Sequence, residues 1–238
     1  MSVVRLWASL ARFQRKYRLP LVVLVCGGWL LLERLTSEML ETETQAFDEL
    51  VLLGLRSKDD LSVPLGPSWL LHAVRDVNSL GGLTVLAIIT ILATLYMMVA
   101  RQRIAAAFLL FSVLGGQVIS SILKLGVARP RPTTVPHLQN VYDLSYPSGH
   151  AMMSAVTYLT IATILASIEK DRRRQIFLFA SAIFLTIAIG LCRLYLGVHY
   201  PSDVIAGWCA GSTWVLCCWL GAGRRLGTPV RVTARDRE

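Results

Sequence analysis

The chain has 238 residues, 54% of them hydrophobic and 16% charged, with a formal net charge of +9. A soluble domain of this length carries about 25% charged residues, and here the charges gather between long apolar runs, as in a membrane protein. The positive charge alone would suit a nucleic-acid partner, but the placement of the basic residues argues against one, because they flank apolar runs and form no basic face on a soluble segment.

In chain order, residues 1–18 form a basic segment expected on the cytoplasmic side. The apolar run Leu19–Leu32 is shorter than the roughly 20 residues that cross a bilayer. A signal peptide would end in an A-x-A cleavage site, but the chain continues Glu33-Arg34-Leu35. A first transmembrane helix running past Glu33 is therefore expected. Within 33–78, Phe47, Leu50, Val51, Gly54 and Leu55 follow helical spacing, with polar residues on the other face. This predicts an amphipathic helix on the outer surface, which either covers the bundle or guides a lipid into a cleft.

Five spans are then expected across 79–222: Ser79–Val99, Ile104–Leu123, Ala151–Ile168, Ile176–Cys192 and Val204–Ala222. Residues 223–238 read as a basic, frayed cytoplasmic tail. With the N-terminus inside, segments 1–18, 100–103, 169–175 and 223–238 hold 16 of the 24 Lys and Arg residues, as the positive-inside rule requires. The expected fold is an all-α, polytopic membrane bundle of about six transmembrane helices, with a surface amphipathic helix after the first. The five cysteines lie in or beside apolar runs without CxxC spacing and read as small buried hydrophobes.

Three stretches break the apolar logic, all on the outward side. The first is Lys124–Pro132, reading K-L-G-V-A-R-P-R-P. Lys124 stands at a span end, where snorkelling to headgroups is its ordinary role. Arg129 and Arg131 alternate with prolines on a stiff backbone, and guanidinium forks match phosphate oxygens. The second is Pro147-Ser148-Gly149-His150, a helix start with Ser148 as expected N-cap and Gly149 allowing close approach of a ligand. Free N–H groups at such an end suit an anion, although an ordinary cap reads the same way. The third runs from Arg193 to Asp203. Arg193 offers a third cation. Asp203, in the first turn after Pro201, can accept one imidazole N–H of His199 and raise the basicity of the other nitrogen. Taken alone, this H-x-x-x-D is also a common helix-start contact. His150, His199 and Asp203 would suit zinc by donor type, but three nearby cations oppose a metal.

Together these motifs resemble the type 2 phosphatidic acid phosphatase superfamily, whose pattern is K-x6-R-P, P-S-G-H and S-R-x5-H-x3-D. Lys124, Arg131 and Pro132 match the first part, Pro147 to His150 the second, and Arg193, His199 and Asp203 the third. Cys192 stands where the family has Ser. The resemblance covers about 80–220, and the six-span plan is similar to the membrane branch of the family, not to its soluble haloperoxidases. It implies that His199 attacks phosphorus to form a phosphohistidine, that Asp203 orients His199, and that His150 protonates the leaving oxygen and then activates water. It implies further that Lys124, Arg131, Arg193 and the backbone at Ser148–Gly149 hold the phosphoryl oxygens, with no metal or other cofactor. Arg129 is left either meeting a distal phosphate or meeting lipid headgroups.

The expected partner is a membrane-embedded lipid phosphate: undecaprenyl diphosphate first, then phosphatidate or phosphatidylglycerophosphate. Compact loops and a short chain point to a bacterial inner membrane, with the site facing the periplasm or exterior. A phosphotransferase delivering to a lipid A-like acceptor is the first alternative. A non-catalytic lipid-binding protein is the second, and it predicts decayed motifs that this chain does not have.

Overall fold

The computed structural model describes residues 3–41 and 43–226, with side chains from 19 to 222 apart from 42. The basic side chains of 1–18 and the tail beyond 226 lie outside the described residues. Among the described residues eight helices follow one another: α1 Val3–Leu40, α2 Gln45–Gly54, α3 Ser68–Ser79, α4 Leu83–Val99, α5 Arg103–Val127, α6 Gly149–Ile168, α7 Arg172–Tyr195 and α8 Pro201–Leu226. Among the described residues the only β-type pairing is an isolated Arg56–Pro64 bridge.

Among the described residues, five helices can cross a membrane by length and composition, and a sixth span results if the bent pair α3–α4 is taken as one. Their outer faces carry apolar side chains with nothing packed over them, among them Leu92, Val99, Leu114, Ile122, Phe177 and Phe184. In water these faces would be costly, whereas in lipid they are solvated. The fold is an all-α membrane bundle.

The first helix runs past Glu33 as expected, to Leu40, and lies along α8. Two other features differ from the sequence expectation. The span expected from Ser79 begins at Leu83 instead. Before it, α3 ends at Ser79 and the chain bends by 45° through Leu80-Gly81-Gly82. Gly81 permits the bend to close on the bundle, since a Cβ there would collide with Ile189 and sit 3.3 Å from Cδ2 of His150. The helix α2 forms where expected, but it buries Asp48 and Leu52 while Phe47 and Leu50 stay exposed. A helix at an apolar solvent turns its apolar stripe outward and its carboxylate toward protein donors.

The centre of the bundle is α6, packed between α7 and α8. Small residues set its distance from α8. A Cβ on Gly207 would lie 2.8 Å from the Ser148 carbonyl oxygen, and one on Gly211 would lie 2.6 Å from that of Met152. This Gly-x-x-x-Gly spacing lets two backbones touch, the favoured close packing inside a membrane. It also aligns the N-termini of α6 and α8 at one end of the bundle, where α5 and α7 finish.

Candidate active site

Four helix ends meet at this pole. The last turns of α5 and α7 carry Lys124 and Arg193, cations that the carboxyl ends of helices favour. The first turns of α6 and α8 carry His150 and Asp203. The α5 helix stops at Ala128, which adopts a left-handed conformation (φ 51°) and turns the Arg-Pro stretch back over the bundle.

Lys124 and Arg131 converge on one carboxylate. Lys124 Nζ lies 2.5 Å from Asp143 Oδ2 and donates also to the Leu144 carbonyl at 2.7 Å. Arg131 pairs with the other oxygen of Asp143 and donates through Nε to the Asp143 carbonyl at 2.7 Å. Burial opposes ionisation of Asp143, but hydrogen bonding to Lys124 and Arg131, with their charges, holds its carboxyl well below the usual range. Its side chain is nevertheless 62% exposed.

Arg131 also reaches the imidazole. Its Nη1 donates to the Val198 carbonyl at 2.6 Å and lies 3.2 Å from His199 Nε2. On the opposite side of the ring, His199 Nδ1 lies 3.4 Å from Asp203 Oδ2, with the Ser145 hydroxyl beside both. This ring is 1% exposed. Burial pushes its pKa down to about 4, helped by the charges of Arg193 and Arg131 and opposed by Asp203. The imidazole is therefore neutral at neutral pH, and Asp203 on Nδ1 favours a lone pair on Nε2.

Asp203 is fully buried and heavily engaged. It accepts from the Tyr200 amide at 2.9 Å, an N3 side chain reaching back to its own N-cap, and pairs with Arg129 Nη1 at 2.7 Å. Arg129 pairs also with Asp48 of α2 at 2.9 Å and lies 4.2 Å above the Tyr200 ring. Asp48 in turn accepts from the Ser202 amide and hydroxyl at the start of α8. Arg129, whose role the sequence left open, thus lies between two buried carboxylates. The docking of α2 rests on the same network.

Ser148 occupies the N-cap of α6, but its hydroxyl makes no cap hydrogen bond and is buried without a partner. Its amide donates to the Asp203 carbonyl at 3.0 Å, so that amide is committed to joining α6 and α8. The amides of Gly149 and His150 head the first turn, where helical partners are lacking. A Cβ on Gly149 would stand 3.7 Å from Cε of Lys124, which shows how near the lysine comes to this helix end.

Arg193 is 2% exposed; its Nη1 donates to Asn78 Oδ1 at 3.1 Å and Gln139 Oε1 at 3.3 Å, and its Nε has no partner. His150 lies against the Gly81-Gly82 break, within electrostatic range of Arg193 and His199. The residues singled out in the sequence thus gather at one pole. Asp143, Ser145, Asn78, Gln139 and Asp48 complete the surroundings and were not singled out, since each is a lone polar residue in a loop or helix with no spacing to mark it.

Known proteins resemble this chain in sequence and fold. The family model described as the PAP2 superfamily matches residues 105–226. Phosphatidylglycerophosphatase B of Bacillus subtilis is 27% identical over 146 residues, covering 60% of this chain and 70% of that protein. An undecaprenyl-diphosphatase of Sulfolobus acidocaldarius is 35% identical over 86 residues, covering 36% of this chain and 32% of the relative. A lipid A 1-phosphatase of Rhizobium johnstonii is 30% identical over 115 residues, 44% of this chain and 43% of that one. In structure, the PAP2-type phosphatidylglycerolphosphate phosphatase of B. subtilis superposes with a TM-score of 0.76 at 21% identity, covering 87% of this chain and 98% of that one. The family match spans more than half of the sequence and includes all three motifs; the chain belongs to the PAP2 superfamily and is a membrane phosphatase.

Proposed function

We propose that this protein hydrolyses a lipid phosphate through a covalent phosphohistidine on His199. One observation carries the reading: Lys124 and Arg131 already hold an anion, the Asp143 carboxylate, and Arg131 also lies 3.2 Å from Nε2 of a buried, neutral histidine. A phosphoryl group in place of that carboxylate would stand beside the nucleophilic lone pair.

In this reading Nε2 attacks phosphorus, the P–N bond forms and the P–O bond to the lipid breaks. His150 gives its proton to the departing oxygen. A water molecule then gives a proton to His150 and attacks phosphorus, releasing inorganic phosphate and His199. Asp203 keeps the proton on Nδ1 and stabilises the positive ring. Lys124, Arg131, Arg193, the free Ser148 hydroxyl and the Gly149 amide bind the phosphoryl oxygens. Three cations and oriented donors supply the electrostatics that phosphoryl transfer requires, so the proposed reaction needs no metal.

The site lies at a pole where four spans end, within reach of a lipid headgroup. The basic-residue bias supports an outward-facing pole, in a bacterial inner membrane. Undecaprenyl diphosphate, phosphatidylglycerophosphate and phosphatidate are the candidate substrates, and the names of the relatives fall in the same lipid-phosphate class. The test is phosphate release by purified protein in detergent, with no acceptor lipid added. Wild type is expected to release phosphate with or without EDTA, and His199→Ala to release none. Turnover by His199→Ala near the wild-type rate would end the mechanism, release only with an acceptor lipid would indicate a transferase, and loss with EDTA would reject the metal-free step.

A further inference from the structure

Beside the phosphoryl site lies a cavity of about 380 Å³, between the α3–α4 break and the loop before α6. His150 forms part of its wall, and Arg75, Asn78, Gln139, Leu83 and Val85 form much of the rest. His150 makes no hydrogen bond among the described residues, so its ring is free to meet a ligand from this side. Asn78 and Gln139 separate the cavity from the phosphoryl site: both turn their amide oxygens to Arg193, and Asn78 Nδ2 donates to Gln139 Oε1 at 3.0 Å. Leu83 and Val85 open the first turn of α4 and give the cavity an apolar side.

In the hydrolase reading the group that leaves phosphorus takes its proton from His150, and the ring of His150 forms part of this cavity's wall. Arg75 stands at the rim, exposed, with one hydrogen bond to the Leu138 carbonyl at 2.9 Å and no carboxylate partner among the described residues. A neutral alcohol gains little from such a guanidinium, whereas a second phosphate gains a charged, forked donor.

We propose that the cavity is a leaving-group subsite and that Arg75 binds the phosphate that remains on the lipid, so that the enzyme prefers lipid diphosphates to phosphate esters of uncharged alcohols. The inference rests on the hydrolase reading above. In the step it describes, the bridging P–O bond breaks, the terminal phosphoryl group passes to His199, and the lipid monophosphate departs past Arg75 with the proton from His150.

Farnesyl diphosphate and farnesyl monophosphate share one alcohol and isolate the second phosphate. Phosphate release from each is measured with full-length wild type, Arg75→Gln and Arg75→Lys in detergent. Wild type is expected to favour the diphosphate in kcat/KM. Arg75→Gln is expected to lower the diphosphate-to-monophosphate ratio about tenfold, and Arg75→Lys to restore part of it. An unchanged ratio, or an equal fall on both substrates, overturns the subsite. If wild type releases phosphate from neither, the hydrolase reading fails first and the subsite with it.

Discussion

Asp143→Asn is expected to improve anion binding, unlike most substitutions of a charged residue beside an active site. In the free protein the Asp143 carboxylate fills the space between Lys124 and Arg131. A phosphoryl group that uses the same two cations must displace it. The side chain is 62% exposed, so each ion pair is discounted to roughly 0.2–1 kcal/mol. The two together oppose ligand entry by about 0.4–2 kcal/mol, and at about 1.4 kcal/mol per tenfold their loss tightens binding about 2- to 30-fold. Asparagine keeps the shape and one oxygen acceptor while removing the charge. The assay is inhibition of lipid turnover by inorganic phosphate at low salt, with the inhibition constant compared between wild type and variant. High salt should narrow the difference, because an exposed pair is screened. A weaker inhibition constant in Asp143→Asn would refute the reasoning, since it would show that the carboxylate positions Lys124 and Arg131 for the ligand instead of competing with it.

Other expectations follow from the same geometry. His199 is held at a pKa of about 4 by burial. The acid limb of kcat/KM, after allowance for titration of the substrate phosphate, should therefore fall near pH 4, and a limb at the ordinary histidine value would show an imidazole open to water. The depressed value contributes stability that is full above the ordinary histidine pKa and is lost as pH falls through about 4. Ser148→Ala should leave thermal stability unchanged, because its hydroxyl caps nothing, while activity falls; a melting-temperature loss matching the roughly 1 kcal/mol of a lost N-cap would contradict the observed geometry. Asp203→Asn should lower kcat by about a hundredfold or more while inorganic phosphate still binds, and near wild-type kcat would remove Asp203 from the mechanism.

Charge distribution and hydropathy made the bundle and the grouping of Lys124, Arg131, His150, Arg193, His199 and Asp203 legible in the sequence, because long apolar runs dictate spans and polar breaks between them are costly. The helix α3 was hidden because His72, Arg75 and Asp76 interrupt its apolar pattern, and the adjoining glycines read as the start of a span where the structure has a bend. The role of Arg129 was hidden for another reason. Its partner Asp48 lies 81 residues away, and no local spacing encodes a pair closed by tertiary packing. Ser148 misled in the opposite direction: its type and position suit a cap, but the α6–α8 contact commits its backbone amide to Asp203 and leaves the hydroxyl free.

Asp203 and Asp143 each pair with an arginine at the site, and burial separates their roles. Asp203 is 0% exposed and meets Arg129, the Tyr200 amide, Ser145 and His199. Removing Arg129 would leave this charge without its cation in a dry site, a cost of several kcal/mol, and the proposed mechanism keeps the anion in place through a turnover. Asp143 meets two cations at comparable distances but keeps most of its surface in contact with solvent, so water can receive it when a ligand arrives. Arg129 reinforces the asymmetry. By bridging Asp203 and Asp48 it ties the counter-ion of His199 to α2 and to the start of α8, whereas Asp143 hangs from a loop joining α5 to α6. The fixed carboxylate can therefore hold the orientation of the nucleophile while the exchangeable one keeps the phosphate cations paired until substrate takes its place.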